Sequence, residues 1–125
     1  MGEMSKDQVF LEVTSNLVNF YAIMGHCFRV IMDDEVSEQM PLDQVKDKFR
    51  QTQEALMPRM TSNPVVKNKV KYDYNMTLKL LGDFGDASLD QARREKVKEE
   101  ALRLHFYARE RSVSLSDLVA VFRNL

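Results

Sequence analysis

Catalysis needs nucleophiles, acid–base groups or metal ligands at workable spacing, and this chain supplies few. Its two histidines are His26 and His105, and its one cysteine is Cys27. A structural zinc site wants four ligands in short paired spacings and a catalytic one wants three. One cysteine and two distant histidines provide neither, and neither histidine stands in H-E-x-x-H. Cys27 lies in an apolar stretch, whereas a reactive thiolate wants an electropositive, partly open place. It reads as an inert buried thiol of a reducing compartment, and without a second cysteine no internal disulfide can form. Asp33, Asp34, Glu35 and Glu38 could offer oxygens to a hard cation, but they lack the alternating spacing and glycine of a calcium loop. They read as a solvated acidic loop. There is no glycine-rich phosphate loop, and Asp83-Phe84-Gly85 reads as a helix stop and turn. The chain is expected to be no enzyme and to hold no metal and no cofactor.

Binding patterns are better supplied. Arg59, Lys67, Lys69 and Lys71 stand next to Tyr72 and Tyr74, and Arg93, Arg94, Lys96 and Lys98 follow. Basic residues interleaved with aromatics can hold a nucleic-acid strand by phosphate pairing and base stacking. The second group alternates with Glu95, Glu99 and Glu100, the pattern of a solvated, ion-paired face. Residues 107–122 resemble a helix-turn-helix. Ala108 takes the small position of the first helix, Ser112 stands where glycine is usual, Val113 fills the apolar slot of the turn, and Leu118 and Val121 point inward. That resemblance implies that Ser114, Ser116, Asp117 and Ala120 would face base edges. Residues 25–29 are similar to the phospho-accepting segment of histidine phosphotransfer domains, four-helix bundles with an exposed histidine and a basic residue three positions on. His26 and Arg29 match, and Val30 stands where that family has a small residue. The similarity implies phosphotransfer at His26 as a third reading.

These groups must be placed by helices. Phe10, Val13, Leu17, Phe20, Met24, Cys27 and Ile31 recur in steps of three and four, one stripe of a helix over about residues 6–32. Such a stripe is a core or self-association seam. Ser5 with Gln8 forms a capping box at its start, Gly25 beside it allows close backbone approach, and the carboxylates after Met32 disfavour continuation. A second helix opens at Pro41 with Leu42, Val45, Phe49 and Leu56 on one stripe, and ends at Pro58. Asn63-Pro64 reads as a cap and first turn. From Val70 to Leu80 apolar and polar residues alternate, a strand signal that would require pairing across a dimer. The helical reading is preferred, because a lone strand leaves its backbone hydrogen bonds unmade. Ser88 with Gln91 caps a fourth helix to about Arg111, with Val97, Ala101, Leu104 and Ala108 inward, flanked by Leu102, Phe106 and Tyr107. Ser114 with Asp117 caps a fifth, with Leu115, Leu118, Phe122 and Leu125 inward.

The expected fold is all-α: one domain over residues 1–125, a bundle of about five helices with the first one long. The 125 residues are 44% hydrophobic and 30% charged, which excludes disordered, collagen-like and disulfide-scaffold classes. No apolar run is long enough to span a membrane, and an intracellular, cytoplasmic protein is expected. Residues 1–58 hold 5 Lys/Arg against 10 Asp/Glu, and residues 59–125 hold 13 against 9. Halves of opposite sign can attract within the fold or between subunits. The expected function is that of a non-enzymatic helical binding protein, a regulator, adaptor or chaperone-like partner of another protein, and a homo-oligomer. Met24, Met32, Met40, Met57, Met60 and Met76 suit adaptable packing surfaces. Nucleic-acid binding through Arg59, Lys67, Lys69, Lys71, Arg93, Arg94, Ser114 and Ser116 is the alternative.

Overall fold

The computed structural model describes residues 6–32, 42–60, 64–86 and 88–124. Four helices account for nearly all of them: α1 (Lys6–Met32), α2 (Leu42–Leu56), α3 (Pro64–Phe84) and α4 (Gln91–Arg123), with a 3-10 turn at Met57–Met60 after α2. There is no strand among the described residues. Ser5, the acidic stretch 33–38, Pro41 and Asn63 lie outside them.

Successive helices run in opposite directions. Along α1 and α4, contacts pair rising numbers with falling ones. The His105 Nδ1–H donates to the Gly25 carbonyl at 2.9 Å, the Ser112 hydroxyl donates to the Val18 carbonyl at 3.1 Å, and the Phe10 and Phe122 rings lie 4.8 Å apart. Phe20 stacks on Phe49 at 5.0 Å and Glu12 pairs with Arg59, so α2 returns along α1. Phe49 meets Tyr74, Tyr107 meets Asp73, and Arg94 lies over Phe84, which sets α3 against α2 and α4 against α3. The result is an up-down-up-down bundle with α1 touching all three other helices.

The α1 stripe builds the core. Leu17, Phe20, Met24, Cys27 and Ile31 are buried, joined by Val45, Phe49 and Leu56 from α2 and by Ala101, Leu104 and Ala108 from α4. Phe20 makes an edge-on contact with Tyr21 at 5.0 Å, a geometry that adds to area burial. Toward the N-terminus the stripe emerges: Val13 is half-buried and Phe10 is 36% exposed.

The preferred helical reading of 70–80 holds and its strand alternative falls away, and one expectation is corrected. The alternating segment 70–80 is no strand and lies within α3. Its buried positions are Val70, Asp73, Thr77, Leu81 and Phe84, a three-and-four spacing that includes two polar residues. The alternation concealed that period because a half-apolar helix can read as both. The fourth and fifth helices are one, since α4 runs unbroken through residues 112–114. Ser-Val-Ser holds no glycine or proline to stop it, and packing on α1 through Ala108 and Ser112 outweighs weak intrinsic propensity. The helix-turn-helix at 107–122 therefore has no turn. The start of α4 also moves by two residues. Asp90 is the cap, its carboxylate accepting the Arg93 amide at 2.8 Å, while Ser88 closes a turn onto Asp86.

Gly25 sits on the side of α1 that faces α4. A Cβ there would lie 3.8 Å from the Ala108 Cβ, ordinary contact, and a Cβ at Gly82 would meet nothing within 4 Å. Both glycines are inside helices. Gly25→Ala and Gly82→Ala are each expected to raise stability by about 0.5–1 kcal/mol, read as a higher urea midpoint. Gly25→Leu should lower it, because the added atoms have no room against Ala108.

Candidate functional site

Three features outside the plain apolar core could carry function. The first is a buried polar cluster. Asp73 is fully buried, although no sequence signal marked it as a core residue. Its Oδ2 accepts from the Tyr21 hydroxyl of α1 at 2.7 Å and from the Tyr107 hydroxyl of α4 at 3.0 Å. Its Oδ1 lies 3.3 Å from the Lys69 ammonium one turn earlier, an ion pair without good hydrogen-bond alignment. Lys69 also lies over the rings of Tyr72 and Tyr107. Burial pulls its ammonium down, and the charge of Asp73 with the Tyr107 hydroxyl outweighs that and holds it up. The Arg111 guanidinium covers the Tyr21 ring at 5.0 Å, with its Nε buried and unbonded. Burial first, then Asp73, pushes the Tyr21 hydroxyl far above its ordinary range. The cluster ties three helices together around a fully buried carboxylate, a structural knot with Lys69 at its solvent-facing edge. The 3–4–4–3 spacing from Val70 to Phe84, with Lys69 four residues before Asp73, is the signal that could have found it.

The second feature is a cleft across the α1–α4 crossing, about 270 Å³, lined by Tyr21, Ala22, Gly25, His26, Arg29, His105, Arg109, Ser112 and Val113. Both histidines of the chain meet there, 79 positions apart in sequence. Each brings an arginine from its own helix, one turn on.

The third feature is the outer face of α4. Leu102 and Phe106 were expected to flank an inward stripe, and the structure turns them out. Phe106 is 57% exposed, Leu102 45% and Val113 53%. At about 100° per residue these three fall within roughly 40° of one another, on the side opposite the buried Ala101, Leu104 and Ala108. Leu118 and Val121, expected to point inward, are also exposed. A hollow of about 360 Å³ lined by Phe106, Arg109, Glu110, Val113 and Ser114 lies on this face.

The basic residues of the nucleic-acid reading are not brought together. Arg59 is paired with Glu12, and Lys69 with Asp73. Lys67 and Lys71 stand in the first half of α3, whereas Arg93 and Arg94 open α4 beside Phe84 and Asp86 at the far end of α3. Seventeen residues of helix separate Lys67 from Phe84, about 25 Å. Ser114 and Ser116 are exposed in mid-α4, not at the start of a helix.

Cys27 is buried, and that burial pushes its thiol up to about 12. It is expected not to react with a disulfide reagent at neutral pH until the protein unfolds. In the unfolded chain the thiol returns to its ordinary 9.0. Its contribution to stability is therefore complete below pH 9 and is lost as pH rises toward 12. Tyr21 acts in the same direction above its ordinary 10.0. Alkaline titration should show unfolding that begins above about pH 9, monitored by circular dichroism.

No group of three or more His, Cys, Asp or Glu able to hold a metal occurs among the described residues, and no helix among them is long and apolar enough to cross a membrane. No protein-family model, curated protein or solved structure matches this chain.

Proposed function

We propose that the chain is a non-catalytic helical binding protein that associates with a second copy of itself through the outer face of α4. The observation that carries this reading is the exposed row Leu102, Phe106 and Val113 on a helix of 33 residues. Large apolar side chains aligned on one face mark an interaction surface, whereas scattered ones do not. The edges of the row say what covers it. Lys98, His105 and Arg109 run along one edge, and Glu99, Glu110 and Asp117, with Arg103 among them, along the other, which stays net acidic.

When two such helices pack face to face and parallel, the acidic edge of each meets the basic edge of the other. Lys98 then lies level with Glu99 of the second copy, and Arg109 with its Glu110. Antiparallel packing would set acid against acid, so the charges favour a two-fold axis along α4. The α1 stripe, the other candidate for self-association, is occupied inside a single chain from Leu17 to Ile31.

The parallel arrangement makes each residue of the row meet its own copy. Leu102→Cys, Phe106→Cys and Val113→Cys should therefore each form a disulfide-linked dimer on mild oxidation, over about 16 Å of helix. An antiparallel pair can cross-link near one position only. Cross-linking at none of the three, with native circular dichroism, would refute the proposal.

A further inference from the structure

We infer that a hollow of about 440 Å³ on α4, lined by Tyr107, Glu110, Arg111, Ser114, Leu115 and Leu118, binds an amphiphilic monocarboxylate, one carboxylate group on a short hydrocarbon body. Arg111 carries the inference. Its guanidinium lies 5.0 Å from the centre of the Tyr21 ring, and its Nε is buried with no hydrogen-bond partner. A ring face attracts the positive charge but offers the N–H donors no oxygen. Asp73, the buried carboxylate of the same knot, is taken up by Tyr21, Tyr107 and Lys69. A half-buried charged donor without an acceptor is costly, and an acceptor from outside the chain relieves that cost. The helix gives the site its shape. At about 100° per residue, Tyr107, Arg111, Ser114 and Leu118 fall within roughly 60° of one another. They set a cation and a hydroxyl between an aromatic ring and two leucines, and Leu118 is 46% exposed. One guanidinium matches one carboxylate in charge and in its forked donor geometry. The exposed Glu110 carboxylate beside it disfavours a second negative charge on the ligand. Leu115, Leu118 and the Tyr107 ring then cover several methylene groups.

Arg111 and Leu118 lie about 130–160° around α4 from the row Leu102, Phe106 and Val113, so the site stands or falls apart from the dimer. The full chain, labelled with ¹⁵N, is titrated with octanoate below its micelle concentration, with acetate and octylammonium as controls. Saturable shifts at Tyr107, Arg111, Ser114, Leu115 and Leu118, with a Kd on the order of 1 mM, are expected for octanoate. Acetate should bind about tenfold more weakly or worse for want of a hydrocarbon body, and octylammonium should give no saturable shift there. A parallel arm uses a peptide with two leucines at its C-terminus, as the free acid and as the amide. An acid about tenfold tighter than its amide identifies the source as the C-terminus of another chain. Equal peptides with binding of octanoate identify a small free acid. Arg111→Gln and Leu118→Asp should each weaken octanoate about tenfold, with the amide spectrum elsewhere unchanged. Leu118 is exposed, so its variant keeps the test open even where Arg111→Gln disturbs packing on Tyr21. Shifts that do not saturate, equal binding of octanoate and octylammonium, or a Kd unchanged in Leu118→Asp would overturn the site. Loss of self-association would not bear on it.

Discussion

Asp73→Ala is expected to lower the unfolding free energy by about 3 kcal/mol, read as a fall in the urea midpoint at unchanged slope. The carboxylate is fully buried and accepts from Tyr21 and Tyr107 on two other helices. Removing it leaves the enclosed Tyr21 hydroxyl without an acceptor, which costs the full desolvation of that group, about 1–3 kcal/mol. A small cavity adds to that cost. Lys69 is about half exposed and can turn to solvent, so its share of the loss is small. Asp73→Asn retains an acceptor oxygen and should cost less than the alanine, while Tyr21→Phe should cost more than Tyr107→Phe because Tyr107 is only half-buried. An alanine effect no larger than that of an exposed α3 residue such as Asn75 would show that the knot contributes nothing to stability.

Phe20→Ala is expected to cost about 4 kcal/mol, enough to unfold a marginal domain. Phe20 is fully buried, stacked on Phe49 and edge-on to Tyr21, at the junction of α1 and α2. Truncation removes the ring's buried area, both aromatic contacts and the packing that fills the space between those helices. Phe10→Ala, on the same stripe, should cost about 1 kcal/mol or less, because Phe10 touches Phe122 while 36% exposed. Equal costs at the two positions would mean that the stripe is buried along its whole length, contrary to the structure.

That contrast shows how much of the fold was readable. The spacing from Phe10 to Ile31 predicts α1 to its last residue, since seven apolar residues in phase leave no other economical arrangement. The spacing cannot say where the neighbours of α1 end, and so it cannot tell Phe10 from Phe20. Residues 112–114 look like a break because serines are common caps, yet a continuous partner surface on α1 carries the helix through. Asp73 was hidden by its charge: residue type alone places it in water, and only two tyrosines arriving from distant segments make its burial tolerable. The cleft was hidden for a related reason. His26 with Arg29 and His105 with Arg109 are unremarkable pairs until α1 and α4 cross. Leu102 and Phe106 were misassigned because α4 carries large apolar side chains on more than one side, and only packing on α1 decides which side is covered.

The proposed dimer joins two copies of the chain through the outer face of α4. Light scattering coupled to size exclusion tests it most directly. The wild type should show twice the 14.6 kDa of the single chain, and Phe106→Asp, which places a charge in the middle of the apolar row without touching the core, should show a folded species of single-chain mass. A wild type of single-chain mass at every concentration, or a Phe106→Asp protein that keeps the doubled mass, would contradict the account.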